Sequence, residues 1–368
     1  MTRIGGIPLS WRPGAIFVAA VAAIAVTSFA AYQVTQPGPP AVVKDSAPAP
    51  WAAATIPMVS ANWYESAPYD FVTDAAAPDL GSVMKATGQK AFVMAFIRAP
   101  NAGGCVPTWG GTDPVSTDTE VASIIREVRD NGGGVSISVG GGGGIALGQE
   151  CVTPKATAAV YRTVLDKYHV SAIDFDIERG ELENPTAVAN EIGAAQILEQ
   201  ETPGLIVTIT IPGTTTGIDA YGELLLEQAR QKHIAVAAYT IMPFDDDFHG
   251  AAAQQVALTD FNAQLKRIFG WSADDAWQHE GVSQMNGEAD PAEYFSESDF
   301  ASNLSFAEKH HMARYTYWSI NRDRECSPPG NSGQVSTDCS SVAQSTYAFT
   351  RYDTKFAEWD APGTAATH

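Results

Sequence analysis

Three carboxylates recur at every second position near the middle of the chain, at Asp174, Asp176 and Glu178. The residues between them are large and apolar, so a β-strand over residues 170–178 would direct the acids to one face and the hydrophobes to the other. Like charges about 7 Å apart in a partly desolvated site raise the pKa of at least one of them. This spacing therefore favours a protonated carboxylic acid beside a carboxylate near neutral pH, as glycosidic bond cleavage requires.

Two structural explanations compete with this interpretation. An EF-hand calcium loop also has alternating acids, but it needs Gly at its sixth position and Glu at its twelfth. Counted from Asp174, those positions hold Arg179 and Pro185. The second alternative is a solvated strand face with acids by chance, and the apolar residue at every intervening position argues against it because it predicts a strand packed under helices.

Strand-like and helix-like segments alternate on both sides of the acidic stretch. Short apolar runs predict parallel strands covered on both faces, and segments with apolar residues at i, i+3, i+4 and i+7 predict the helices between them. The predicted strands cover residues 56–64, 91–97, 135–139, 170–178, 205–211, 235–242, 281–287 and 313–320, and the predicted helices cover residues 79–88, 121–128, 154–168, 185–200, 218–232, 251–269 and 298–309. Eight strands alternating with helices predict an α/β fold, a (β/α)8 TIM barrel with a single catalytic domain, whose site lies at the strand C-terminal ends.

A glycine run from Gly140 to Gly144 follows the third predicted strand. It lacks the G-x-G-x-x-G context of a dinucleotide-binding turn, so we do not interpret it as a cofactor site.

Four segments resemble family 18 glycoside hydrolases, the chitinases and their relatives. The stretch Asp174-Phe175-Asp176-Ile177-Glu178 resembles the end of the D-G-x-D-x-D-x-E signature. The other three segments are Ser138-Val139-Gly140-Gly141, similar to S-x-G-G; Met242-Pro243-Phe244-Asp245, similar to M-x-Y-D; and Tyr317 to Asp323, similar to the final strand of bacterial chitinases. The resemblance spans about residues 56 to 352, with the motifs in the family order.

The resemblance implies roles for the three acids. Glu178 would be the general acid that protonates the glycosidic oxygen and the base that then activates water. Asp176 would orient the substrate acetamido group, whose oxygen attacks the anomeric carbon, and Asp174 would hold Asp176 through a shared proton. The family carries out this reaction with retention and without metal or cofactor.

The same resemblance suggests substrate-binding residues. Trp318 would form the apolar floor of a sugar subsite, and Asp245 would bind near the acetamido group. The remaining candidates for substrate binding are Met242, Gln284, Ser138 and Tyr239.

Two positions depart from the family pattern. Ser171-Ala172 replaces the usual Asp-Gly, and we expect Ser171 to offer a hydrogen bond toward Asp174. Phe244 replaces the motif tyrosine, so Tyr239, Gln284 or Asn286 would supply the missing polar contact. Three aromatics are possible outer subsites or packed loop residues: Trp63, Tyr64 and Trp109.

Composition limits the partners. A net charge of −20 argues against nucleic acid, because phosphate contacts need a basic face, but it is compatible with an uncharged polysaccharide. We expect an N-acetylglucosamine polymer or oligosaccharide as the partner, and a monomer.

The N-terminal region has the features of an export segment. Arg3 and Arg12 precede an uncharged apolar run over residues 14–32, so residues 1–32 are a signal peptide or an N-terminal membrane anchor. Residues 33–54, rich in Pro and Ala, form a linker, and residues 55–368 form the catalytic domain. An extracytoplasmic location follows in both cases.

Four cysteines are compatible with that location. The simplest of three possible pairings joins Cys105 to Cys151 and Cys326 to Cys339. The spacing of the cysteines does not suggest a zinc site. The seven histidines, including His310-His311, also lack metal-ligand spacing.

The sequence thus predicts an exported retaining glycosidase that cleaves β-1,4-linked N-acetylglucosamine polymers. Two alternatives stay open at this point. One is an endo-β-N-acetylglucosaminidase acting on glycoprotein or wall glycans, and the other is a chitin-binding lectin that has lost catalysis, although such a loss usually removes the acid at the position of Glu178.

Overall fold

The structure is a computed structural model, and it describes residues 59–290, 293–327 and 335–359. The predicted signal or anchor segment and the predicted linker lie outside these residues. Within the described part, no helix is both long and apolar enough to cross a bilayer.

Eight parallel strands form one curled sheet and confirm the predicted TIM-barrel fold. The strands are β1 (Tyr69–Phe71), β2 (Ala91–Arg98), β3 (Gly134–Gly140), β4 (Ala172–Asp176), β5 (Ile206–Pro212), β6 (Ala238–Met242), β7 (Glu280–Met285) and β8 (Arg314–Trp318). Each strand pairs in parallel with the next along the chain from β1 to β8.

Side-chain hydrogen bonds connect the two ends of this sheet. No ladder joins β1 to β8 in the described residues. Instead Thr316 Oγ1 donates to the Ala67 carbonyl at 2.5 Å, and the Asn321 amide exchanges two hydrogen bonds with the Phe71 backbone, at 2.9 and 3.1 Å. These contacts hold β1 and β8 next to each other and complete the barrel.

Eight longer helices follow the strands. They are α1 (Leu80–Thr87), α2 (Glu120–Asp130), α3 (Pro154–Tyr168), α4 (Pro185–Glu201), α5 (Ala220–Lys232), α6 (Gly250–Phe269), α7 (Glu297–His310) and α8 (Thr350–Glu358). The caps agree with the sequence: Asp79 accepts from Ser82 N at the start of α1, and Gly88 ends it with a φ of 82°. Thr153 caps α3 with Pro154 at its first position, as predicted.

Shorter elements occupy the loops. Four short helices cover Ala61–Glu65, Leu147–Glu150, Arg179–Leu182 and Ala273–Trp277, two 3-10 turns cover Val115–Thr117 and Ile320–Arg322, and four short strands cover Thr108–Trp109, Asp113–Pro114, Gly287–Ala289 and Glu293–Phe295.

The first strand was predicted in the wrong place. Residues 56–58 lie outside the described residues, and Ala61–Glu65 is helical, with Trp63 and Tyr64 buried. The true β1 has only three residues, Tyr69–Phe71, which is too short to produce a recognisable alternation in the sequence.

Alternation along the strands separates a polar barrel interior from an apolar outer layer. On β4, Ile173 and Phe175 belong to the hydrophobic core shared with the helices. Asp174 between them bonds to groups from β1, β3, β5 and β8 inside the barrel. The face assignment made from the sequence is therefore correct for the acidic strand.

Two disulfides lie in the loops and confirm the sequential pairing. Cys105 bonds Cys151, and Cys326 bonds Cys339, with Cα–Cα distances of 4.8 and 5.0 Å. They tie down the loops after β2 and β3 and the loop after β8.

Candidate active site

A cavity of about 280 Å³ opens at the carboxyl ends of the barrel strands. Asp176 and Glu178 lie on one side of it and Trp318 lines it from β8. The other lining residues come from β1, β2, β6, β7 and adjoining loops: Tyr69, Phe71, Phe96, Arg98, Gly142, Gly143, Arg179, Met242, Phe244, Asp245, Ser283 and Met285. Two of the three predicted acids and the predicted tryptophan thus meet in one place, where chemistry in this fold is found.

Asp174 lies beneath the cavity, fully buried, and is bonded on both carboxylate oxygens. Oδ1 accepts from Arg314 Nη1 at 2.9 Å and from the hydroxyls of Thr208 and Thr210 at 2.7 and 2.8 Å. Oδ2 accepts from Tyr69 and Ser138, both at 2.8 Å; Tyr69 thus contributes to the base of the site as well as to its wall.

This network keeps Asp174 ionised. Burial alone would raise the pKa of Asp174, but the Arg314 charge and the hydroxyl donors together lower it below its usual value. The family role of sharing a proton with Asp176 is not seen as a hydrogen bond among the described residues. Asp174 instead acts on Asp176 through its charge.

Asp176 ends β4 and has the opposite environment. Its Oδ1 is buried without a hydrogen-bond partner among the described residues. Burial raises its pKa well above the usual range, and the negative charges of Glu178 and Asp174 add to the effect, while Arg314 and Arg98 lower it. The protonated form of Asp176 is therefore favoured more strongly than in an exposed aspartate.

Glycines of the S-x-G-G segment let the chain pack directly against Asp176. Gly140 pairs with Asp176 in the sheet, and Gly141 N donates to the Asp176 carbonyl at 2.8 Å. A Cβ on Gly140 would lie 2.1 Å from that carbonyl oxygen, and the φ of 97° at Gly140 disfavours any other residue. The absence of side chains at these glycines therefore allows β3 and β4 to approach each other closely at the site.

Glu178 lies two residues beyond the end of β4, in an extended conformation before the helix Arg179–Leu182. Burial raises its pKa to about 7, the charges of Arg179 and Arg98 lower it, and Asp245 raises it again. A half-buried carboxyl group with this pKa still holds a proton near neutrality and can release it into the cavity. Glu178 is thus suited to proton transfer.

Trp318 ends β8 beside three aromatic rings. It stacks on Phe96 with ring centroids 5.3 Å apart and planes 16° apart, and Tyr69 and Phe71 lie 6.2 and 5.8 Å away. The indole is half-buried and lines the cavity. An indole in this setting offers an apolar surface to the C–H groups of a sugar ring.

Asp245 lies at the cavity rim, next to Phe244 and Met242. Its Oδ1 accepts from Asp290 N at 2.8 Å, and its own N donates to Glu293 Oε2 at 2.7 Å. Desolvation raises its pKa to about 6, although the hydrogen bond from Asp290 N opposes the rise. Phe244 provides no hydroxyl here, as the sequence indicated.

Three other predicted binding residues lie away from the cavity lining. Ser138 is buried beneath it and donates to Asp174. Tyr239 packs against Phe269 and Trp271 outside the barrel, and Gln284 accepts a hydrogen bond from Asn303 of α7.

The alternation of the strands explains these corrections. Met242 faces the cavity three residues after Tyr239, and Ser283 and Met285 line the cavity on either side of Gln284. Tyr239 and Gln284 therefore point to the helix layer. Asn286 accepts from Ser319 N and lies outside the lining, so none of the three replaces the missing tyrosine hydroxyl in the described cavity.

The structure decides between the two roles left open for three aromatics, and it corrects the expectation for Ser171. Trp63, Tyr64 and Trp109 are buried, and Trp109 Nε1 donates to Tyr168 at 2.7 Å, so they do not form exposed subsites. Ser171 lies before β4 and interacts with Tyr64. It is not among the partners of Asp174, whose oxygens are occupied by neighbouring strands.

Sequence reasoning missed the basic residues of the site. Arg314, fully buried on β8, is the counter-ion of Asp174, and Arg98 at the end of β2 lines the cavity. A charged residue starting an otherwise aromatic strand was a usable signal for Arg314, because burial of an arginine requires a partner. Arg98 carried no comparable signal because it ends its strand, next to a loop.

An eight-stranded barrel with a buried carboxyl group of raised pKa at the end of β4, and with Trp318 in the same cavity, is typical of glycosidase TIM barrels. The described part contains no group of three or more His, Cys, Asp or Glu arranged to hold a metal ion.

Comparisons with known proteins agree with this class. No family model matches the chain. Over 278 residues, 70% of the chain, it is 26% identical to a probable bifunctional chitinase/lysozyme of Escherichia coli and equally to endochitinase 11 of Metarhizium anisopliae. These matches cover 30% and 52% of the two proteins, so the chain corresponds to only part of each.

Solved structures extend the similarity to the fold. An active domain of a thermostable chitinase from Pyrococcus furiosus, crystallised with chito-oligosaccharides, is 27% identical with a TM-score of 0.71. The match covers 82% of this chain and 96% of that domain. The chain is family 18 chitinase-like in sequence and fold, as its motifs predicted.

Proposed function

We propose that this protein hydrolyses β-1,4-linked N-acetylglucosamine polymers, chitin or chito-oligosaccharides, with retention of anomeric configuration. The observation that carries the proposal is the placement of Glu178 and Asp176 in one cavity with Trp318. The chitinase relatives support the same substrate class.

The first half of the reaction uses the proton of Glu178. The Glu178 carboxylic acid gives it to the glycosidic oxygen as the bond from that oxygen to the anomeric carbon breaks. The acetamido oxygen of the substrate forms the new bond to the anomeric carbon and gives an oxazolinium ion. The unpaired Asp176 Oδ1 suits an acceptor for the acetamido N–H, which would hold the group in the attacking orientation.

The second half restores the enzyme. The Glu178 carboxylate takes a proton from water while the water oxygen attacks the anomeric carbon and the bond to the acetamido oxygen breaks. Two inversions at one carbon give net retention, and Glu178 ends the cycle protonated.

The two loop disulfides favour an extracytoplasmic location for this domain. Both disulfides support export, because such bonds persist in oxidising compartments. We therefore propose that the domain works outside the cytoplasm, released or held by residues 14–32, and as a monomer.

The experiment is to incubate the full-length protein with N-acetylglucosamine hexamer and to follow the products and their first-formed anomer by chromatography. We expect short oligomers whose new reducing ends are initially β. Initially α products would exclude retention, and binding without cleavage would indicate the lectin alternative. A glucosamine hexamer, which lacks the acetyl group, is the matched control and should not be cleaved.

A further inference from the structure

The side chain of Arg98 is held in the cavity wall by the glycine run after β3. Its Nε donates to the Gly140 carbonyl at 2.6 Å, and its Cζ lies 4.9 Å from the centre of the Phe96 ring. A Cβ on Gly141 would approach Nη2 to 2.7 Å, and one on Gly144 would approach Cδ to 3.1 Å. The run therefore provides the space that this guanidinium occupies, and its orientation is fixed on several sides.

Most of the donor capacity of Arg98 is unused. A guanidinium has five N–H donors, and only the Nε–H of Arg98 has a hydrogen-bond partner among the described residues. The side chain is half-buried and lines the cavity. Donors fixed in a cavity wall without protein acceptors are available to acceptors on a ligand.

The position of Arg98 relative to Glu178 indicates which part of a ligand would meet these donors. A Cβ on Gly142 would lie 3.2 Å from Glu178 Oε2, so the glycine run borders the acid. In the proposed reaction the acid must reach the glycosidic oxygen, so the sugar that leaves with that oxygen would lie along Gly142, Gly143 and Arg98. Asp176 and Trp318 would then hold the sugar on the other side of the bond.

We propose that Arg98 is a substrate-binding residue for the leaving sugar, to whose hydroxyl or acetamido oxygens its two Nη groups donate hydrogen bonds. This inference rests on the proposed hydrolase function. Gly142 and Gly143, which have no side chains, leave the space that such a sugar needs beside the acid.

A second consequence concerns the charge of Arg98. Besides burial, the charges of Arg179 and Arg98 lower the pKa of Glu178 and the charge of Asp245 raises it. Burial lowers the pKa of Arg98, and the negative charges of Asp176, Glu178 and Glu181 oppose this effect. Removal of the Arg98 charge takes away one of the two cations that lower the pKa of Glu178. The loss of activity at alkaline pH should then occur at higher pH.

The test compares two substrates in the parent protein and in Arg98→Gln and Arg98→Lys. One substrate is N-acetylglucosamine hexamer; the other is an N-acetylglucosamine dimer carrying a methylumbelliferyl group, in which an aryl group replaces the leaving sugar. We expect Arg98→Gln to lower kcat/KM for the hexamer about 10- to 100-fold, the range expected for charge-assisted hydrogen bonds. For the aryl substrate, kcat/KM should change less than about threefold.

The pH profile of activity separates the two proposed effects of Arg98, its hydrogen bonds to the substrate and the effect of its charge on Glu178. The alkaline limb of Arg98→Gln should move up by about one pH unit. Arg98→Lys should keep the parental limb while losing affinity for the hexamer, because lysine retains the charge without the planar fork. Arg126→Gln, which removes an exposed arginine of α2, is the matched control and should match the parent in both assays.

Equal losses on both substrates with an unchanged pH limb would overturn the proposal and leave Arg98 a structural residue. A parent protein that cleaves neither substrate would refute the hydrolase function itself, and the Arg98 proposal would be rejected with it.

Discussion

Arg314→Met should be among the most destabilising single substitutions in the barrel. Arg314 and Asp174 are both almost fully inaccessible, and their charged atoms are 2.9 Å apart. Methionine keeps the unbranched stem but leaves the Asp174 carboxylate without its counter-charge. The four hydroxyl donors to Asp174 stay in place, so the substitution isolates the effect of the positive charge.

The magnitude follows from burial and distance. Unit charges 2.9 Å apart attract by about 6 kcal/mol at an effective dielectric constant of ~20. Part of this attraction is offset by the cost of removing both ions from water, and loss of one partner from a buried pair costs about 3–5 kcal/mol. We therefore expect Arg314→Met to lower the free energy of unfolding by about 3–5 kcal/mol at pH 7.5.

The loss of unfolding free energy caused by Arg314→Met should be smaller at acidic pH. In the parent, the pKa of Asp174 is below its usual value, so its contribution is present above the unfolded-state pKa and is lost as pH falls through the folded-state pKa. In the variant the unpaired, buried carboxyl group has a raised pKa and takes up a proton as pH falls, which relieves the destabilisation. The difference between the two proteins should therefore be smaller at pH 5 than at pH 7.5.

The assay is equilibrium unfolding in urea, followed by tryptophan fluorescence and circular dichroism to check that the transitions coincide. Arg162→Met is the matched control: its ion pair with Glu201 is 2.6 Å long, but the two side chains are 28% and 57% exposed. That control should lose less than about 1 kcal/mol. A loss below 1 kcal/mol for Arg314→Met, or one independent of pH, would refute the reasoning.

Three further predictions follow from the site and the loops. Activity should fall as pH rises through about 7, because the pKa of Glu178 is raised to about 7 and its proton is the one transferred; an alkaline limb below pH 5 in a rate profile would contradict this. Gly140→Ala should lower both the melting temperature and kcat, because the new Cβ would lie 2.1 Å from the Asp176 carbonyl oxygen. Gly204→Ala controls for backbone strain, since Gly204 also has a positive φ but a Cβ there would have no neighbouring atom within 4 Å. Replacing Cys105 and Cys151 by serine should cost about 4 kcal/mol of unfolding free energy and replacing Cys326 and Cys339 about 3 kcal/mol, because the first disulfide closes a longer loop. A larger fall in melting temperature for the Cys326 and Cys339 variant than for the Cys105 and Cys151 variant would contradict this order.

Periodicity explains why most of the barrel could be predicted from the sequence. Long helices with defined caps, such as Pro154–Tyr168 after Thr153, and apolar strands such as β2 produce strong local patterns. The three-residue β1 has no such pattern, because its position depends on pairing with β2 and on bonds from Thr316 and Asn321. The bonds from Thr316 and Asn321 span more than 240 residues of the chain, so they leave no local signal in the sequence.

The site residues likewise divide into those with a local sequence pattern and those whose position depends on distant contacts. Asp174, Asp176 and Glu178 lie within five residues of one another and alternate with apolar residues, so their spacing was informative. Tyr239 and Gln284 were predicted to bind substrate, but the period of two along β6 and β7 directs them outward. The roles of Arg314 and Arg98 depend on which strands become neighbours in the barrel, which is a property of the fold rather than of any segment.

The most direct measurement of the central claim is the rate of hexamer hydrolysis by Glu178→Gln, with binding of the hexamer followed in parallel by tryptophan fluorescence. Glutamine keeps the shape of Glu178 but cannot transfer the proton. We predict that kcat falls about 10²- to 10⁴-fold while affinity for the hexamer stays within a few-fold of the parent. A variant that hydrolyses the hexamer as fast as the parent would contradict the assignment of Glu178 as the catalytic acid.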